Sequence, residues 1–272
     1  MTATSLGTPA LAPRKRSALA WAIADTRAIT WRNLVTLRRL PQLLVFSTIQ
    51  PVIFVLMFRY VFGGAIKIPG VDYVNYLMPG IFAQTVTFGA IQTGVGLAED
   101  LHKGLIERFR SLPMARSAVL AGRTLADLVR NVFVVALMII VGYMVGFRVQ
   151  TGLLGLLAGV AVILLFGFSL TWIFAIIGLS APNAETAQAM SFPILAPLVF
   201  ASSAFVAVDT MPGWLQGFAT YQPVSIAVDA VRSLMLGGQF HDTAKVIASL
   251  AWSVGIVAVF APLAVRVYRR TA

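Results

Sequence analysis

The chain has no cysteine, two histidines and only 11% charged residues among its 272 positions. Without cysteine there is no disulfide framework, no thiol nucleophile and no thiolate metal site. The sequence contains no Gly-x-x-x-x-Gly-Lys-Ser/Thr loop, so the chain has no P-loop cradle for nucleotide phosphates. His-Glu-x-x-His and Gly-x-Ser-x-Gly are also missing, and no hydrolase constellation is visible. The ten carboxylates avoid the middle third of every long apolar run, where an ion-coupled carrier needs one. His102 and His241 fall on opposite sides of the topology read below and share no metal; His102 lies in an apolar arc and reads as a packed side chain.

What is abundant is apolar: 58% of the residues, gathered in six runs at 40–62, 76–98, 125–147, 153–179, 186–208 and 244–265. Hydrocarbon about 30 Å thick is crossed by roughly 20 helical residues, so each run is long enough to span. The second run holds 23 residues without a charge. The runs are continuous, not alternating, which excludes a β-barrel, and backbone amides in lipid must pair within a helix. The expected fold class is all-α: a polytopic membrane protein of six transmembrane helices. The net charge of +11 does not indicate nucleic acid, because the basic residues sit at span ends. Sixteen of the Lys and Arg residues lie in 13–39, 99–130 and the last seven positions, against Arg59, Lys67, Arg148, Arg232 and Lys245 on the other side. The positive-inside rule then puts both termini in the cytoplasm. The first 39 residues lack the apolar core and cleavage site of a signal peptide.

Between the spans, residues 1–17 read as a flexible cytoplasmic tail and 18–272 as a single transmembrane domain. Residues 18–39 form an expected interfacial helix, with Trp21 and Trp31 at headgroup level and Arg38 and Arg39 toward anionic lipid. The connector 99–114 has helical periodicity: Leu101, Leu105, Ile106 and Phe109 share one arc, and Lys103, Glu107, Arg108 and Arg110 the other, up to a stop at Pro113. It reads either as a helix lying on lipid or as one docking a cytoplasmic partner. Residues 212–222, with Trp214, and the run opened by Pro223 are too short to cross and suggest an outer re-entrant or interfacial helical hairpin. No internal repeat is evident.

Several side chains stand out individually. Arg123, Asp127 and Arg130 share a helix face, as an ion cluster fixing the cytoplasmic end of the third span or as a gate latch. Asp229 and Arg232 read as a local pair. Gln50, Gln84, Thr85, Thr87 and Gln92 face either a substrate path or neighbouring helices. Pro193 and Pro197, one turn apart, suit a bent, moving fifth span, with Ser202 and Ser203 near its outer end.

Three segments together resemble the ABC-2 type transporter permeases, in particular the daunorubicin-resistance efflux group. They are YVNYLMPGI at 73–81; AEDLHKGLIERFRSLP at 98–113, running on to Leu120-Ala121-Gly122-Arg123; and Ser202-Ser203-Ala204-Phe205 with DTMPGWL at 209–215, followed by Gln222-Pro223-Val224 and Asp229-Ala230-Val231-Arg232. The chain departs from the pattern at 206–208, where a proline is usual, and at Glu107, where an aspartate is frequent. The resemblance implies that Gly104, Leu105, Ile106, Glu107, Arg108, Phe109 and Arg110, with Leu101, belong to a coupling helix docking on cytoplasmic ABC ATPase subunits. It implies that 212–236, with Pro212, Trp214, Pro223, Asp229 and Arg232, is the outer hairpin. It further implies no cofactor on this chain, ATP and Mg on the partner ATPase, a second permease subunit, and the cytoplasmic membrane of a bacterium. A lipophilic drug, lipid or glycolipid is the expected substrate of such an exporter. An autonomous ion-coupled carrier or channel, a membrane enzyme and a structural scaffold stand as competing readings.

Overall fold

The computed structural model describes residues 18–39, 41–66, 68–105 and 116–271. Among these residues the regular structure is entirely helical. The helices are α1 (Ala18–Arg39), α2 (Pro41–Leu56, continued by a π-helical turn, Met57–Phe62), α3 (Tyr73–His102), α4 (Arg116–Met144), α5 (Gly152–Ser180), α6 (Ala184–Phe200), α7 (Gly213–Tyr221), α8 (Pro223–Leu236) and α9 (Thr243–Thr271). Four of them, α3, α4, α5 and α9, are long and apolar enough to cross a membrane.

The hub is α3, buried nearly throughout. Its small residues allow helix backbones to approach closely, which is how helices associate where no hydrophobic force drives them together. A Cβ on Gly178 of α5 would stand 2.1 Å from the Gly94 carbonyl oxygen, and one on Gly167 would stand 2.7 Å from Val86. Contacts that advance together along both helices mean that α3 and α5 run parallel. At the other end, a Cβ on Gly80 would meet the Ala204 carbonyl at 2.0 Å. α9 packs along α5 and α8, and buries Tyr268 with Leu97, Leu120 and Trp172. α1 lies on α4, where Thr30 Oγ1 donates to the Gly122 carbonyl at 3.2 Å and Ile29 fills the space over Gly122.

Several boundaries differ from the sequence reading, each for a local reason. The fifth apolar run stops being helix at Phe200, eight residues short. There Ser202 Oγ donates to the Val199 carbonyl and accepts the Ala204 amide, turning the chain. The helix of the third run begins at Arg116, ahead of the apolar run, and its charged residues Arg123 and Arg130 find partners inside the protein. The expected connector helix does not begin at 99: those residues end α3, and Gly104, at φ +67°, breaks the helix after His102. His102 is exposed there, not packed. Ile106, Glu107, Arg108, Phe109 and Arg110 lie outside the described residues, as does the tail 1–17.

Candidate functional site

Amide side chains from four helices converge. Gln50 of α2, Gln84 and Gln92 of α3, Asn131 of α4 and Gln188 of α6 line a cavity of about 190 Å³, closed by Phe88 and Phe192. A second cavity of about 350 Å³ shares Ser47, Gln50, Gln92 and Arg130 with it and reaches Glu99 and Arg123. The two form one cleft from the His102 end of the bundle to mid-height. Gln84 and Asn131 are at its bottom, each 3% exposed. Gln50, Gln92 and Gln188 are exposed at its mouth. Room for Asn131 exists because α3 has Gly89 opposite: a Cβ there would stand 2.7 Å from Asn131 Oδ1.

The expected substrate-path residues therefore divide. Gln50 and Gln84 are in the cleft with Thr85 and Gln92. Pro193 and Pro197 lie on the exposed side of α6, whose buried residues recur every fourth position at Ala187, Ser191, Leu195 and Val199. Ser202 and Ser203 are buried at the far end. Asn131 and Gln188 escaped the sequence reading, although a lone amide within an apolar run is a signal that could have found both.

One wall of the cleft is ionic. Asp127 Oδ1 meets Arg130 Nη1 at 3.1 Å, and Asp127 Oδ2 meets Arg123 Nε at 3.7 Å and accepts from Thr93 Oγ1 at 2.7 Å. Arg123 continues to Asp100 at 3.1 Å, and Asp100 lies 3.8 Å from Arg32 of α1. Arg130 also donates to the Gly89 carbonyl at 2.8 Å. The cluster thus ties α1, α3 and α4 together at one end. Beyond it, Glu99 holds the ammonium of Lys103 at 2.6 Å and raises its pKa.

The Tyr73 end carries a second cluster. Arg232 of α8 is 2% exposed. It pairs with Asp229 at 3.1 Å, and also donates to the carbonyls of Tyr76 (3.0 Å), Ser203 (2.6 Å) and Ala204 (3.1 Å). Its guanidinium stacks 3.5 Å over the Tyr76 ring. The local pair read from sequence is therefore a buried junction of α3, α8 and the turn after α6. Ser203 Oγ donates to Asp229 at 2.8 Å, and Gln222, just before Pro223, donates to the Leu198 carbonyl and to Ser225 Oγ. Lys245 of α9 approaches Asp229 at 3.7 Å. In contrast, Trp214 of α7 is 82% exposed and Pro212 is exposed before it.

Long apolar helices that pack through glycine contacts, with ion clusters at both ends and an amide-lined cleft, are those of a multi-pass membrane protein. The sequence profile of the ABC-2 type transporter matches residues 24–236, and the chain belongs to that family. It is 40% identical over 260 residues, 95% of this chain and 91% of the relative, to the daunorubicin resistance ABC transporter permease protein DrrB1 of Streptomyces coeruleorubidus. It is 27% identical over 264 residues to a probable doxorubicin resistance ABC transporter permease protein, DrrC, of Mycobacterium tuberculosis, covering 96% of this chain and 94% of the relative. With the doxorubicin resistance permease DrrB of the same organism the identity is 28% over 261 residues, covering 90% and 88%.

Proposed function

We propose that this chain is the membrane-spanning subunit of an ATP-driven exporter that moves a lipophilic drug, lipid or glycolipid outward. The observation that carries the reading is the cleft. Its mouth bears exposed Gln50, Gln92 and Gln188 on otherwise apolar helices, and polar groups at membrane depth are tolerated where they line a water-filled or protein-covered cavity. The mouth therefore faces a vestibule shared with a second permease subunit, not lipid. In this reading α2 with its π turn and α6 complete six spans, and both termini are cytoplasmic in a bacterial plasma membrane. α7 and α8 form the outer hairpin. The segment from Leu101 through Arg110 docks on ABC ATPase subunits, which bind ATP and Mg. Resistance to daunorubicin and doxorubicin in the relatives' names supports a drug-like substrate.

An ion-coupled carrier is less well supported: Asp127, the sole acidic residue of α4, is engaged by two arginines and Thr93. The deciding experiment co-expresses the chain with an ATPase encoded beside it and measures daunorubicin uptake into inverted vesicles. Uptake that needs ATP and both proteins is expected. Sustained uptake by the chain alone, driven by an ion gradient, sinks the reading.

A further inference from the structure

Thr26, Ile29 and Thr30 of α1 meet Gly122 of α4. Beside that contact the two helices leave an open groove of about 940 Å³. This is at the upper end of the range of about 300–1,000 Å³ in which ligand sites fall. Ala24 and Ala28 are too small to fill it, and Ile23, Trp31 and Leu125 stand around it. Trp31 is 68% exposed and Ile23 61%. Leu125 is also the first residue of an exposed apolar stripe on α4 that continues through Val129, Val132 and Ile140 on one helix face. The groove thus opens onto a surface suited to lipid.

One charged side chain lines the groove. Arg27 is exposed, one turn from both Ile23 and Trp31, and among the described residues it makes no ion pair and no side-chain hydrogen bond. Arg32, Arg123 and Arg130 nearby each have a carboxylate partner. A guanidinium set in an apolar surface is stabilised by an anion, and its planar fork matches a phosphate. A phosphate that carries acyl chains satisfies the cation and the groove together, whereas free phosphate leaves the apolar walls uncovered. The sequence pointed to Arg38 and Arg39 for anionic lipid, but neither lines the groove.

We propose that the groove between α1 and α4 is a binding site for one anionic phospholipid of the cytoplasmic leaflet. The phosphate pairs with Arg27. One acyl chain fills the space over Ala24 and Ala28, against Trp31, and continues along Leu125, Val129 and Val132. The inference rests on the reading that places α1 at the cytoplasmic face, where the leaflet is anionic, and it adds a lipid site to the exporter.

The test places the full chain in vesicles of one part phosphatidylglycerol to three parts phosphatidylcholine, with the acyl chains of one lipid or the other brominated. Bromine quenches indole fluorescence on contact, and the difference between the wild-type protein and Trp31→Phe isolates Trp31 from the other four tryptophans. Mole for mole, phosphatidylglycerol should quench Trp31 as a lipid bound about fivefold more tightly, which is what one basic residue gains near an anionic leaflet. Arg27→Gln should erase this preference. Arg38→Gln, at an exposed arginine outside the groove, should keep it. Equal quenching by the two lipids overturns the proposal. So does a preference that Arg27→Gln leaves intact, or one that both variants lose equally, which is a basic surface and not a site. A Trp31 that neither lipid quenches means that a protein surface covers the groove, and overturns it too. If Trp31→Phe fails to assemble, native mass spectrometry decides by counting the phosphatidylglycerol retained through delipidation. The wild-type protein should keep one molecule more than Arg27→Gln, and equal counts overturn the proposal. A phosphatidylglycerol preference without ATP-driven uptake removes the exporter reading and keeps this one; uptake with no preference does the reverse.

Discussion

At the scale of single residues, the two charged clusters set the stakes. Arg232 is a buried guanidinium whose three nitrogens all have partners, and removing one member of a buried ion pair strands the other. Arg232→Ala is expected to cost about 3–5 kcal/mol, read as a lower melting temperature and loss of the monodisperse peak in detergent. Arg232→Lys keeps the charge but lacks the planar fork that spans the Tyr76, Ser203 and Ala204 carbonyls, so it should recover only part of that stability. At the opposite end, Asp127→Ala leaves Arg123 and Arg130 facing each other across one helix face. Its melting temperature should fall, while that of Lys103→Ala, whose partner Glu99 is solvent-exposed, should stay near wild type.

At the scale of elements, close helix contact is the controlling feature. Gly178→Ala puts a methyl 2.1 Å from a backbone oxygen that has no side-chain freedom to yield, so α3 and α5 must separate. Overpacking of this kind costs about 1–3 kcal/mol, whereas Gly255→Ala on α9, with open space around it, should be neutral or slightly stabilising. Thermal unfolding of the two variants side by side checks this. Gly104 is the second such position. Its φ of +67° ends α3 and sets the direction in which the chain leaves toward 106–115. An alanine there is strained by about 1–2 kcal/mol. On the proposed function, Gly104→Ala is therefore expected to lower ATP-driven uptake by the co-expressed pair more than it lowers thermal stability.

At the scale of the whole molecule, the question is what covers the mouth of the cleft. The natural chain has no cysteine, so a single introduced thiol reports its surroundings without interference. Cysteine at Gln50, Gln92 or Gln188 should react with a water-soluble maleimide in intact membranes, or form a disulfide with its counterpart in a second copy. Cysteine at Ile140, on the exposed apolar side of α4, should do neither. Unreactive thiols at all three mouth positions sink the shared vestibule.

Run length, charge bias and the turn signals around Pro212 and Pro223 are local properties of the chain. They determined the all-helical class, the two short helices Gly213–Tyr221 and Pro223–Leu236, and six apolar runs, of which four are helices long and apolar enough to cross among the described residues. The motif segments likewise carried the family. What they could not determine is which polar residues meet. Gln84, Asn131 and Gln188 lie far apart in sequence and on different helices, and only the rotation and spacing of those helices bring them to one cavity. Where α3 meets α4, Gly89 leaves the room that the Asn131 side chain fills, between residues whose distance along the chain says nothing of their distance in space. Arg232 makes the same point: its (i, i+3) partner was legible, but the carbonyls of Tyr76 and Ser203 became its partners only once α3, the turn after α6 and α8 had packed.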